Sequence, residues 1–332
     1  MQGGRTPAIA LYSGTLASTL AARLAERAGL PLVRLVYFRS PFFLEEDRVG
    51  LQAERWLPGH RFQSITLKKT FLTLGRGEGP FPCGACRGLL LERAGRLMRR
   101  LGADLVVTGE VVGRGGVERE ELLAMDRALG LEGRVLRPLS ALRLPPTRPE
   151  EEGRIDRSLF LGLEGDVGRE ELRLVARSRG LEWDGEGREC LLSKPGFVQR
   201  YQTFVPRAGL TENHVQLLQF EHCYPLGGGA LLVVARTPEE QARLHPLFLP
   251  SDVRLYVQVP RSPLALVRAP WTELSPGARA ELIALAAERM AEVGRLPQGA
   301  GWTIRVRCEW EEETHKMRLP VEDRPVPTLI SP

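Results

Sequence analysis

Along residues 1–140, short apolar runs alternate with stretches whose apolar positions recur every three or four residues. The runs Ala8-Ile9-Ala10-Leu11-Tyr12 and Leu32-Val33-Arg34-Leu35-Val36-Tyr37-Phe38, with residues 61–67 and 103–108, predict strands. Between them the helical period predicts one helix reaching about residue 28, closed by Gly29 and Pro31, and a second over 45–57. A third, over 87–101, aligns Leu90, Ala94, Leu97 and Leu101 on one face. Strands separated by helices require crossover connections, and therefore a parallel sheet wrapped by helices. The strand C-terminal ends then share one edge, where ligands of such sheets bind. The predicted class is α/β, a parallel sheet flanked by helices, with a second, smaller α+β domain.

The alternation breaks in the proline-rich connection 136–160, where Pro138, Pro145, Pro146 and Pro149 predict an ordered, irregular path rather than a helix. A helix over about 170–179 and a Gly-rich turn lead to Cys190-Leu191-Leu192-Ser193-Lys194-Pro195. A second module begins near Thr211. Its pattern predicts strands at 217–220 and 230–235 joined across Pro225-Leu226-Gly227-Gly228-Gly229, then a helix from about Pro238. Further strands at 253–259 and 264–267, a helix over 276–293 and a closing strand over 303–310 complete it. The expected domains are residues 1–205 and 211–310, followed by a charged, proline-rich tail, 311–332, expected to be disordered. No internal repeat is visible.

No apolar run approaches the roughly 20 residues of a membrane span, and the start of the chain lacks the basic-then-apolar build of a signal peptide. A cytoplasmic location without a membrane partner is the expectation. Lys and Arg total 46 against 41 Asp and Glu, a net charge of +5, which permits an RNA partner without requiring one. Lysine occurs only at 68, 69, 194 and 316, so arginine carries the positive charge, a bias that suits a GC-rich genome equally well. Five cysteines, an odd count without a secretion signal, argue against a disulfide scaffold.

Two features carry candidate chemistry. Ser13, Gly14, Thr15 and Ser18 lie between the first strand and the first helix, where hydroxyls, backbone N–H groups and the positive helix end can meet an anion. The plainer alternative is a Gly/Ser turn that caps a helix through Ser13 or Thr15. The second feature is Cys83-Gly84-Ala85-Cys86, placed just before the helix expected from Arg87. A helix N-terminus favours thiolate, so the pair suits sulfur transfer, a metal or redox cycling. With the distant Cys190, it supplies three corners of a 4Fe-4S cluster and leaves a fourth iron open. Four-cysteine zinc would need Cys223 as well. Cys223 and Cys308 fit small buried residues.

The Ser13–Ser18 loop resembles the Ser-Gly-Gly-x-Asp-Ser loop of PP-loop ATP pyrophosphatases, with Thr15 at the second Gly and Ala17 at the Asp. Pro82-Cys83-Gly84-Ala85-Cys86, Thr108-Gly109-Glu110-Val111-Val112-Gly113 and Val135-Leu136-Arg137-Pro138-Leu139-Ser140-Ala141 extend the likeness. So do Pro145-Pro146-Thr147-Arg148-Pro149-Glu150, Gly153-Arg154-Ile155-Asp156-Arg157 and Cys190-Leu191-Leu192-Ser193. Residues 1–205 thus resemble a tRNA-thiolation group of that superfamily, related to the 4-thiouridine synthetase and 2-thiouridylase ATPase domains. Residues 211–310 resemble an NFACT-type RNA-binding domain, through Glu212-Asn213, the Gly227–Gly229 turn with Leu231-Leu232-Val233-Val234-Ala235-Arg236, and Glu239-Glu240-Gln241.

The resemblance implies an adenine nucleotide alpha hydrolase-like fold and an ATP-dependent tRNA sulfurtransferase. ATP, with Mg²⁺, would adenylate a tRNA uridine, and sulfur from a cysteine, a 4Fe-4S cluster, a donor protein or sulfide would displace AMP. Ser13, Gly14, Thr15 and Ser18 would take ATP phosphate, Tyr37 and Phe38 would flank adenine, and Thr108 and Gly109 the ribose or α-phosphate. Cys83, Cys86 and Cys190 would carry the sulfur or the cluster. The departures cluster at expected ligand contacts: Ala17, Thr15, Arg114-Gly115-Gly116-Val117-Glu118-Arg119 for a Gln-Arg-Pro-Met-Ser-Gln segment, Gly165-Asp166-Val167-Gly168, and Arg188-Glu189. They admit the alternative of a catalytically silent RNA-binding relative.

Overall fold

The computed structural model describes residues 6–43, 46–67, 83–185, 190–204, 209–258, 262–296, 303–308 and 314–318, apart from the side chains of Glu46, Asp47, Cys83, Ser193, Cys308 and Arg318. The chain divides into two compact units, residues 1–190 and 191–332. In the first, strands β1 (Ala8–Leu11), β2 (Leu32–Arg39), β3 (Phe62–Thr66), β4 (Leu105–Val107) and β5 (Val135–Leu136) form a wholly parallel sheet in the order β3-β2-β1-β4-β5. Helices α1 (Leu16–Arg27), α2 (Glu46–Trp56), α3 (Cys83–Arg100) and α4 (Arg119–Ala128) make the crossovers, and α6 (Arg169–Ser178) follows the short α5 (Arg148–Glu151). The α/β class is therefore as the periodicity predicts. Because β1 is central and the order reverses there, the loop after β1 and the end of β4 lie side by side at the C-terminal edge.

The main core of this unit gathers Ala10, Tyr12, Leu20, Leu24, Leu35, Leu105, Leu139 and Phe160, none more than 2% exposed. Burial is nearly complete along β1 and β4, which explains their continuous apolar runs. Three sequence expectations change here. Helix α3 begins at Cys83, not Arg87, so the cysteine pair occupies its first turn. Helix α4 was not foreseen, because Glu118-Arg119-Glu120-Glu121 presents no apolar onset; its acidic first turn suits the helix dipole instead. The irregular connection contains α5, since Thr147 and Glu150 form a capping box and Pro149 sits near its start.

The second unit carries a six-stranded antiparallel sheet. Its strands are β6 (Cys223–Pro225), β7 (Leu231–Ala235), β8 (Val253–Tyr256), β9 (Leu264–Arg268), β10 (Thr303–Cys308) and β11 (His315–Arg318), in the order β11-β10-β8-β9-β7-β6. Helices α7 (Pro195–Thr203), α8 (Glu212–Leu217), α9 (Pro238–Leu244) and α10 (Pro276–Val293) complete it. Ala286, Ala287 and Met290 of α10 pack with Leu232, Val234, Leu255, Ala265, Val267 and Ile304 as one apolar core. The strand expected at 217–220 is corrected: Leu217 ends α8, because Thr211 and His214 form a capping box that starts a helix there. The tail is corrected in part, since His315–Arg318 pairs with β10 as strand β11; residues 319–332 lie outside the described residues. Among the described residues no helix is long and apolar enough to cross a membrane.

Candidate functional site

The turn between β1 and α1 is held by its own hydroxyls. Gly14 takes φ of +68°, a left-handed conformation that glycine supplies without strain, and a Cβ there would press on Val49 Cγ2 at 3.3 Å. Thr15 is the N-cap of α1; its Oγ1 accepts from the Ser18 amide at 3.4 Å. Ser18 completes the capping box, its hydroxyl accepting the amides of Ser13 at 3.3 Å and Thr15 at 3.2 Å and donating to the Thr15 carbonyl at 3.0 Å. Ser13 Oγ lies 3.1 Å from Thr15 Oγ1. Two amides of the turn are thus engaged within it, while the first-turn amides of Leu16 and Ala17 have no acceptor inside the helix. Ala17 is a buried apolar residue of the core.

The end of β4 presses directly on this turn. A Cβ at Gly109 would lie 2.7 Å from the Ala17 carbonyl carbon and the Ser18 nitrogen, so only glycine permits the approach. Thr108 is buried and donates its hydroxyl to Glu110 Oε2 at 3.1 Å. Tyr37 and Phe38, expected to flank a base, are 2% and 8% exposed. The Tyr37 hydroxyl donates to the Phe43 carbonyl at 2.5 Å and its ring stacks on Phe62 with centroids 6.4 Å apart. Tyr37 is therefore a core residue of β2, with its polar tip already satisfied.

Beneath Thr108 and Gly109 lies a buried charge network that sequence reading passed over. Arg137, 2% exposed, donates through Nε to Glu110 Oε2 at 2.9 Å and through Nη1 and Nη2 to the two Asp126 oxygens at 2.6 and 2.9 Å. Arg87 Nε meets the other Glu110 oxygen at 2.5 Å. Burial raises the Glu110 pKa, but Arg137, Arg87 and Thr108 outweigh it and hold the carboxyl below its ordinary range. At Asp126 burial prevails and raises the pKa against the pull of Arg137. The network ties three elements together: the β4 end through Glu110, α4 through Asp126, and α3 through Arg87. The visible signal was Arg137 itself, a lone charge following the apolar Val135-Leu136. Tyr12, at the β1 end, has its pKa pushed up to about 12 by burial, with Thr19 Oγ1 at 3.2 Å.

Of the cysteines, Cys86 stands in the first turn of α3 and is half-buried, as is Cys190. The Cys83 side chain lies outside the described residues, as do Pro82, Arg188 and Glu189. Among the described residues no three His, Cys, Asp or Glu side chains converge on a point that would hold a metal ion. The Ser13–Ser18 turn has no carboxylate, and Glu110 is engaged by two arginines. Cys223 is a buried thiol of the second unit, its pKa pushed up to about 12 by burial.

No protein-family model matches the chain, and no curated protein matches it. Among solved structures, the chain is similar to the U34-tRNA thiolase NcsA from Methanococcus maripaludis with its 4Fe-4S cluster, at 15% identity and a TM-score of 0.33. That likeness covers 59% of this chain and 63% of the thiolase. It is also similar to a predicted subunit of tRNA methyltransferase from Methanocaldococcus jannaschii, at 13% identity and a TM-score of 0.31, over 55% of this chain and 94% of that one.

Proposed function

We propose that residues 1–190 form a PP-loop-type unit of the tRNA-thiolation kind, which binds adenine nucleotide at the Ser13–Ser18 turn and transfers sulfur to a tRNA uridine. The observation that carries this reading is the meeting of the Ser13–Ser18 turn with Gly109. A strand-to-helix turn rich in hydroxyls lies against a strand end that only glycine brings so close. A helix N-terminus offers backbone amides and a positive dipole end to phosphate, which supports the reading. In the proposed reaction the uridine carbonyl oxygen attacks the α-phosphorus of ATP and pyrophosphate leaves. The outer sulfur of a persulfide on one cysteine, loaded from a persulfide-bearing donor protein, attacks the activated carbon and AMP leaves. A second cysteine thiolate then breaks the S–S bond, releasing the thiouridine and leaving a disulfide that a thiol reductant reopens. Cys86, in the first turn of α3, is placed where the helix dipole favours thiolate, and with Cys83 and Cys190 it forms the proposed sulfur-carrying set. No step is assigned to a metal or a cluster.

Titration calorimetry with ATP, with and without Mg²⁺, tests the nucleotide part. Saturable heat at submillimolar ATP is expected, and absence of heat at millimolar ATP overturns it. A second reading, an RNA-binding relative without ATP chemistry, is favoured by one observation: the Ser18 hydroxyl already occupies the amides of Ser13 and Thr15. Ala17→Asp separates the two. Turnover gained by the variant marks a disabled turn, whereas turnover already present in the unaltered protein excludes the silent reading.

A further inference from the structure

In the antiparallel sheet of the second unit, directly paired residues share a face, so the register sorts every side chain. One face holds Leu232, Val234, Val253, Leu255, Ala265, Val267, Ile304 and Val306, all buried in the core that includes α10. The opposite face divides into two halves. Across β7 and β9 it is closed: Leu231, Val233, Ala235 and Leu266 are fully buried, and Arg268 is buried against Asp252. Across β8, β10 and β11 it changes to Arg254, Tyr256, Thr303, Arg305, Arg307 and Lys316, all at least partly exposed.

Arg307 stands directly opposite Arg254, and Arg305 directly opposite Lys316, with Tyr256 on the other flank of Arg305. Directly opposed like charges destabilise a sheet. None of the described residues of these three strands is acidic. The side chains are also ordered: Arg305 bonds Gln258, Arg307 Nη1 donates to Thr314 Oγ1 at 3.2 Å, and the Arg254 guanidinium lies 4.3 Å from the Phe248 ring centroid. Cations thus recur along and across the strands at strand spacings of roughly 5–7 Å, with a tyrosine among them.

We infer that this half-face is the surface on which the protein holds the phosphodiester backbone of RNA, with Tyr256 available to stack on a base. Phosphates on the face turn two repulsive pairs into shared contacts, and an aromatic set among arginines serves an unpaired base. The inference rests on tRNA as the partner under the proposed function, and adds the place of contact.

The test uses the full chain and a labelled tRNA transcript, with affinity followed by fluorescence polarisation from 50 to 300 mM salt. The variant R305Q/R307Q/K316Q is compared with R93Q/R99Q/R100Q, which removes the same charge from exposed helix positions of the first unit. The face variant is expected to bind at least about ten-fold more weakly, with a salt slope reduced by roughly 2, while the control keeps the slope of the unaltered protein. Its melting temperature should stay close to that of the unaltered protein, so that lost binding is not lost folding. Equal losses in both variants overturn the surface but leave RNA as the partner. If the unaltered protein binds no tRNA, or if these residues instead bind anionic vesicles, the surface and the RNA partner both fail.

Discussion

Arg137 offers the sharpest test of how the first unit is built. The guanidinium is 1% exposed and makes three hydrogen bonds to two carboxylates, Glu110 and Asp126. Arg137→Met keeps most of the volume but strands Asp126 in the interior and leaves Glu110 with Arg87 alone. Removing one partner of a buried ion pair costs about 3–5 kcal/mol, because the remaining charge is desolvated without compensation. At about 2–4 °C per kcal/mol for a domain of this size, the melting temperature should fall by roughly 6–20 °C. Scanning calorimetry on the full chain measures it. Arg137→Met combined with Asp126→Leu removes the stranded carboxylate, leaves the Arg87–Glu110 pair intact, and should recover most of the loss. A single variant that melts within about 2 °C of the unaltered protein would refute the network as a structural tie; so would a double variant as unstable as the single one.

Gly109→Ala places a methyl 2.7 Å from the backbone of Ala17 and Ser18, so β4 and α1 must separate; ATP binding by calorimetry should weaken, with a stability loss of about 1–3 kcal/mol, and unchanged affinity would count against the turn as the phosphate site. Glu110, whose folded pKa is depressed, contributes stability that is present above the unfolded carboxylate pKa of about 4.3 and lost as pH falls through the lower folded value. Glu110→Gln should flatten that acid limb in melts between pH 5 and 2, and an unaltered limb would show that Glu110 does not set it. Cys223, with its thiol pushed up to about 12, should resist iodoacetamide at pH 8 in the folded protein and react after unfolding, as read by peptide mass mapping; equal labelling in both states would contradict its burial.

The strands of the first unit were legible because β1, β2 and β4 are short continuous apolar runs, the signature of a sheet buried on both faces. The same pattern placed the Ser13–Ser18 turn at the sheet edge. What it did not show follows from contacts distant in sequence. Arg137 reaches Asp126 and Glu110 across 11 and 27 residues, so no local period reveals the network. Tyr37 and Phe38 looked like edge aromatics from their place at a strand end, but Phe43 and Phe62 enclose the Tyr37 ring. Residues 217–220 looked like a strand because their apolar side chains are buried, while the Thr211 cap decides the conformation just before them in favour of helix. Capping chemistry, two or three residues long, outweighed a short hydrophobic run.

The central claim is sulfur insertion into a tRNA uridine, and mass analysis of tRNA nucleosides from a strain lacking this gene addresses it most directly. The account predicts loss of one thiolated uridine, restored by the intact gene and not by one in which Cys86 is replaced by serine. A nucleoside profile identical with and without the gene would contradict it.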